Sequence, residues 1–338
     1  MPVCDRDFAL VVGINDYPDY RPLQGAIEDA RDFHRWLVDT NDGGGIPQAQ
    51  CKLVVSTPNP VHPIQDDIDD ALSELLDAVE QTPGRRFYLY FSGHGLSRSN
   101  MGADLCLARW SRRKRNAALD SEEYLKLVAD PGRFAEVVFL LDCCRVRLVE
   151  ARGLRSTIHY GAGNSGNVRL FTAYAAEFQN SAFEATVAGA GGDEPIVRGH
   201  FSRALMAGLR GGAARRDGGV PANDLKTYLE KETPRIAAES KHNQTPVVVN
   251  GLSGGADEPV FGAALPQSNV VITFTPQRAG HTVTLEGPSL DIVRKGPADA
   301  AGWSLTLDGG LHLLRDEANG NQLEIRFRPE EGVKRVDF

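Results

Sequence analysis

The sequence predicts an α/β fold, a parallel sheet with helices on both faces, followed by a small all-β unit. Three observations predict it. The runs FYLYF at 87–91 and VVFLL at 137–141 carry no charge, as expected of strands buried on both faces. Segments with apolar residues at three- and four-residue spacing alternate with such runs, which is the pattern of helices covering a sheet. From about residue 265 the pattern changes to short alternating runs split by Gly and Pro, the grammar of a sandwich or barrel.

Residues 8–14, FALVVGI, read as the first buried strand, and the polar turn NDYPDYRP follows. The next helix places Leu23, Ala26, Ile27, Ala30, Phe33 and Leu37 on one face, and a Gly-rich loop at 42–45 ends it. Residues 52–55 form a second strand and 64–79 a second helix, after which Pro83 and Gly84 lead into the strand at 87–91. A short strand at 105–108 and a helix at 121–128, capped by Ser121, precede the strand at 137–141. Residues 145–167, rich in Arg and Gly, read as an exposed loop. Then come a strand at 168–173, a flexible turn at 188–192, helices at 201–209 and 222–238, and a strand at 246–249. The Gly- and Pro-rich stretch NGLSGGADEPVFGAALP is the linker, so the expected domains are 1–255 and 256–338.

Composition narrows the function. With 41% hydrophobic residues the 338-residue chain can bury a real core. A net charge of −8, from 37 basic and 45 acidic side chains, argues against a nucleic acid or an anionic membrane as partner. The N-terminal MPVCDRDFALVVGIN does not read as a signal peptide, and no apolar run has the length to span a bilayer. Cysteines at 4, 51, 106, 143 and 144 show no paired-ligand spacing, so reduced thiols in a cytoplasmic protein, with no metal and no cofactor, are expected.

The chemistry gathers at two strand ends. FYLYFSGHG brings His94 and Gly95 to the end of one strand, and VVFLLDCCR brings Cys143 and Cys144 to the end of another. Ligands of open α/β sheets sit at the carboxyl ends of strands. A thiol and an imidazole placed there are the two parts of a nucleophile and its base. Either residue alone has a structural explanation, His94 as a turn residue and each Cys as a small core side chain. The combination, with Asp142 beside the thiols, carries the weight. From alternation alone, either Cys143 or Cys144 could face the site.

The segments FALVVGIN, LQGAIEDAR, YFSGHG, LLDCCR, FTAY and HFSRALMAGL resemble the caspase-like cysteine peptidases, a clan that includes caspases, metacaspases and bacterial relatives. The resemblance covers roughly residues 5–250 and not the C-terminal β segment. It implies a three-layer fold on a mostly parallel six-stranded sheet and a cysteine endopeptidase. Aligned on the family's Asp-x-Cys pattern, Cys144 is the nucleophile, His94 the base, and the backbone N–H groups of Gly95 and Cys144 form the oxyanion hole. Gly95, lacking a Cβ, is expected to let the backbone approach the substrate. The chain departs from the family after the nucleophile, where Arg145-Val146-Arg147 replaces His-Ser-Gly or Arg-Gly.

Asp29, Ser92 and Asp142 match the positions with which metacaspases bind a basic side chain, which implies cleavage after Arg, then Lys. Arg145, Arg147, Arg152 and Arg155 then become candidates for self-cleavage in the loop that follows. Protein or peptide substrates are the implied partners, with a regulatory protein at the C-terminal β unit and a role in regulated cell death or antiviral defence as further implications. The competing expectations are a catalytically weak pseudoprotease that serves as a scaffold, and peptide ligation on the same dyad. Two charged clusters read as solvated surface: Asp66, Asp67, Asp69 and Asp70 on a helix rather than at a calcium loop, and RWSRRKR at 109–115 as an exposed loop.

Overall fold

The structure, a computed structural model, describes residues 4–41, 43–100, 102–130, 132–148, 153–159, 168–187, 194–214, 219–252, 261, 270–287, 292–307, 310–327 and 334–338. The N-terminal part runs β1 (Asp7–Gly13), α1 (Ala26–Val38), β2 (Cys51–Val55), α2 (Gln65–Asp77), β3 (Gly84–Ser92), β4 (Gly95–Ser97), β5 (Asp104–Cys106), β6 (Ala118–Asp120), α3 (Ser121–Ala129) and β7 (Phe134–Asp142). It continues with β8 (Val146–Arg147), β9 (Arg169–Tyr174), β10 (Glu184–Val187), β11 (Ile196–Gly199), α4 (His200–Ala207), α5 (Ala222–Glu239) and β12 (Val247–Asn250).

Six of these strands form one sheet in the order β12-β9-β7-β3-β1-β2, in which only β12 is antiparallel to its neighbour. Alternation explains the three layers. Leu10, Val12, Phe87, Leu89, Phe139 and Leu141 enter the core under α2 and α3, while Ala9, Val11, Tyr88, Tyr90, Val138 and Leu140 enter the core under α1, α4 and α5. The expected α/β class with a mostly parallel six-stranded sheet is therefore present.

Several local expectations shift. Asp120, not Ser121, caps α3, accepting hydrogen bonds from the N–H groups of Glu122 at 3.1 Å and Glu123 at 3.4 Å. The loop expected at 145–167 is ordered where it is described. Val146–Arg147 pairs in parallel with Leu96 and Ser97, Leu154 bridges to Leu119, and Thr157 donates twice to Asp69. Asp69 is accordingly buried as an acceptor, also taking hydrogen bonds from Tyr124 and Ser156, rather than lying on a solvated face. The hairpin β10–β11 was not expected. The turn at 188–192 and the boundary at 255–256 lie outside the described residues.

The C-terminal part holds β13 (Val270–Thr273), β14 (Thr282–Glu286), β15 (Ile292–Pro297), β16 (Trp303–Leu305), β17 (Gly310–Asp316), β18 (Gln322–Phe327) and β19 (Lys334–Asp337). They make a three-stranded sheet, β16-β13-β19, and an antiparallel four-stranded one, β15-β14-β17-β18. Ile272 from the first and Leu285, Leu314 and Ile325 from the second share one apolar cluster around Trp303. Among the described residues no helix is long and apolar enough to cross a membrane.

One ion pair lies inside the main sheet. Arg86, 1% exposed, donates to Glu136 at 2.6 Å and to the Tyr88 hydroxyl at 2.8 Å, and Arg169 also donates to Glu136. Replacing Glu136 takes from the buried guanidinium the carboxylate it is hydrogen-bonded to. Glu136→Ala is expected to lower unfolding stability by about 3–5 kcal/mol, read by urea denaturation. A loss under about 1 kcal/mol would contradict this account.

Candidate active site

Three parallel strands end level with one another: Gly13 of β1 pairs with Ser92 of β3, and Ser92 pairs with Asp142 of β7. The residues that follow Ser92 and Asp142 thus leave the sheet at the same edge. A cleft of about 370 Å³ opens there, lined by His94, Cys144, Ser92, Asp142 and Asp29 among others. The structure therefore brings together five residues chosen from sequence. Gly95 does not line the cleft but sits one residue behind, in β4.

Cys143 and Cys144 have different surroundings. Both line the cleft, but Cys143 is 1% exposed and packs in the core, whereas Cys144 is half-buried. The Cys144 thiol donates to the Ala182 carbonyl at 3.4 Å, and burial raises its pKa. At neutral pH it rests as a thiol. Gly95 has a packing requirement within the chain itself: a Cβ there would lie 2.5 Å from the Cys143 sulfur and 2.5 Å from the Cys144 carbonyl oxygen.

His94 is held from three sides. Its Nε2 lies 2.7 Å from the Arg21 carbonyl, and since a carbonyl can only accept, Nε2 carries the proton. Nδ1 is left as the basic nitrogen. The rings of Tyr17 and Tyr20 lie 4.6 and 4.9 Å from the imidazole, and the His94 backbone N–H donates to the Tyr17 hydroxyl at 2.9 Å. That hydroxyl in turn donates to the Cys106 carbonyl at 3.1 Å. Burial lowers the His94 pKa, so the ring is neutral and able to take a proton at pH 7.

The floor of the cleft is acidic. Asp29, 1% exposed, accepts from the Gly199 N–H at 2.8 Å and is ion-paired with Arg198, which also holds Asp32 at 2.9 Å. Asp142 accepts from the Ser202 N–H at 3.1 Å and from its hydroxyl, which lies 2.5 Å from the Tyr90 hydroxyl. Burial raises Asp29 to about 7, against the opposing pull of Arg198, and raises Asp142 to about 6, against the Ser202 hydrogen bonds. Gly199 lies between the two, since a Cβ there would meet the Asp142 carboxylate at 2.4 Å and that of Asp29 at 3.0 Å. Glu184, not chosen from sequence, adds a third carboxylate to the lining and accepts from the Gly25 N–H at 2.8 Å.

The self-cleavage candidates separate. Arg145 is not exposed as expected. It is 2% exposed, donates to the Asn100 carbonyl at 2.8 Å and lies 4.3 Å from the Tyr174 ring centroid, with its backbone held by hydrogen bonds to Asn180 and Gln179. Arg147 is exposed in β8, and the Arg155 side chain is 80% exposed beside Glu123. Arg152 lies outside the described residues. Among those residues no group of His, Cys, Asp and Glu could hold a metal ion.

The model of the caspase domain matches residues 6–254. A probable protease of a Desulfuromonadales bacterium is 28% identical over 267 residues, covering 72% of this chain and 32% of the relative. The chain thus spans about a third of that relative's length. Caspase-1 of Spodoptera frugiperda superposes over 76% of this chain and 92% of its own, with a TM-score of 0.47 and 11% identity. A structure of pro-sf-caspase-1 covers 75% of this chain and 90% of its own, with a TM-score of 0.44 and 12% identity.

Tyr17 fixes the imidazole through its hydroxyl as well as its ring. Tyr17→Phe leaves the His94 N–H and the Cys106 carbonyl unpaired, at a cost of about 1–3 kcal/mol. In steady-state hydrolysis kcat is expected to fall with little change in KM. A rise in KM alone would mean that Tyr17 serves binding and not the position of His94.

Proposed function

The chain belongs to the caspase family of cysteine peptidases, and on that premise we propose that it is an endopeptidase that cuts proteins after Arg and, less readily, after Lys. The observation that carries this reading is the shared cleft. A half-buried thiol, a neutral imidazole with a fixed tautomer and three carboxylates line the same 370 Å³ space. Cys144 attacks the scissile carbonyl while His94 takes the thiol proton through Nδ1, and the same imidazole then protonates the leaving amine. Water hydrolyses the resulting thioester. The N–H groups of Gly95 and Cys144 are assigned to the oxyanion, a role supported by the close packing of Gly95 against the Cys143 side chain and the Cys144 carbonyl.

Asp142, Ser92 and Glu184 offer a guanidinium its partners, while Asp29 is shared with Arg198. This deepens the expectation from sequence, since Asp29 acts as one half of a buried pair rather than as a free carboxylate. Arg fits this set better than Lys because its planar fork can engage two acceptors at once. The chain is also assigned self-processing in the segment after the nucleophile, with Arg147, Arg152 and Arg155 as the sites to test. A cytoplasmic protease with a regulatory partner at its C-terminal β sheets, acting in regulated cell death or antiviral defence, is the wider setting that fits.

Coumarin peptides ending in Arg, Lys, Asp or Gln test the specificity. Arg is expected to be cleaved fastest, and Cys144→Ala to abolish every signal. A preference for Asp, or activity that survives Cys144→Ala, rejects the assignment. The pH dependence has a definite sign. Below about pH 6 both Asp142 and Asp29 bind protons, and negative charge appears as pH rises through about 6 and 7. KM for the Arg peptide should therefore fall across that window while KM for the Gln peptide stays flat. Equal pH profiles would remove the carboxylates from substrate binding.

Self-processing is read by incubating the full chain and sequencing new N-termini. Cuts after Arg147, Arg152 or Arg155 that are absent from Cys144→Ala are expected. A fully active chain that stays intact would refute it.

A further inference from the structure

A second concavity, of about 600 Å³, lies beside the catalytic cleft, and Arg21 lines both. Its other wall comes from the RWSRRKR segment, through Ser111, Arg112, Arg113 and Lys114. Among the described residues one carboxylate, Asp19, lines it, and that group pairs with Lys114 at 3.2 Å. Among the described residues no carboxylate lies within ion-pair distance of Arg21, Arg112 or Arg113. In a chain with a net charge of −8, three unpaired guanidinium side chains lining one groove form a local reversal of sign.

The groove is anchored rather than a loose run of charges. Trp110 is 3% exposed, its backbone N–H donates to the Leu107 carbonyl at 2.8 Å, and the Lys114 backbone N–H donates to the Ser111 hydroxyl at 3.1 Å. Tyr20 joins the groove to the catalytic imidazole. Its ring lies 4.8 Å from that of Trp110 on one side and 4.9 Å from that of His94 on the other. The residue that lends its carbonyl to His94 Nε2 is Arg21 itself.

The chemistry of the reaction gives this groove a direction. The side chain before the scissile bond enters the acidic floor, and His94 protonates the amine of the residue after it. The substrate chain beyond the bond therefore leaves past His94, on the side of Tyr20 and Arg21. We propose that the groove formed by Arg21, Arg112 and Arg113 is a subsite for Asp or Glu within the first few residues after the scissile bond. The substrate is then a basic residue followed by an acidic stretch, a sequence whose charges complement the two neighbouring sites in order. This rests on the endopeptidase reading above.

The test uses internally quenched peptides that share Arg before the bond and carry Asp-Glu, Asn-Gln or Lys-Lys after it. The full chain is expected to cleave the acidic peptide with kcat/KM about fivefold above the neutral one, since exposed ion pairs are individually weak. The ratio should fall towards one in Arg112→Ala/Arg113→Ala, and towards one at high salt, where such attraction is screened. A ratio of one in the unsubstituted chain overturns the proposal, and a ratio that survives the double substitution does so as well. An oligonucleotide that binds through these arginines, with the peptide ratio at one, assigns the groove to nucleic acid and overturns it too. Release of coumarin from an Arg-terminated peptide, which has no residue after the bond, monitors the parent reading. If that release fails, both readings fall, whereas release with a ratio of one sinks only the groove.

Discussion

The register Gly13, Ser92, Asp142 across three parallel strands is the constraint on which the rest depends. Parallel strands in register end at a common edge, so two side chains fifty positions apart in sequence meet without any long-range device of their own. A slip of one residue in β7 would turn Asp142 to the opposite face and carry Cys144 with it. The apolar content of β3 and β7, buried on both faces, makes that slip costly. The precision of the site is thus inherited from the core.

Electrostatics divides the cleft into two regions with opposite tasks. Around His94 and Cys144, burial disfavours charge on both groups, which leaves a neutral pair at pH 7. On the floor, burial acts on carboxylates that are already close together, and Arg198 and the Ser202 hydroxyl offset part of their repulsion. A cationic side chain entering there would complete a charge balance the fold has left unfinished. The donors that hold these carboxylates come from β11 and α4, through Arg198, Gly199 and Ser202, so the geometry of the floor depends on how those elements pack against α1 and β7.

Much of this was legible in the sequence because it rests on local pattern. Charge-free runs marked β3 and β7, and the abrupt polar ends of those runs marked the site. Other parts rest on contacts that leave no local trace. The carbonyl of Arg21 fixes the His94 tautomer, and a backbone atom has no letter in a sequence. Glu184 reaches the cleft from a short hairpin, 160 residues from the Gln24 N–H it accepts. Arg145 looked exposed because composition suggested a loop, yet its backbone pairs with Gln179 and Asn180 and its side chain lies over Tyr174. Asp69 looked like one of four solvated acids, but the segment at 156–157 folds back onto it.

The missing side chain at Gly95 gives position 143 an importance of its own. The sulfur of Cys143 fills the space that a Cβ on Gly95 would occupy, so the size of residue 143 sets how near the backbone after His94 lies to the backbone of the nucleophile. A bulkier side chain at 143 would act as a wedge between the two N–H groups assigned to the oxyanion. The geometry of this cleft is then adjustable through a residue whose side chain is 1% exposed and packs in the core.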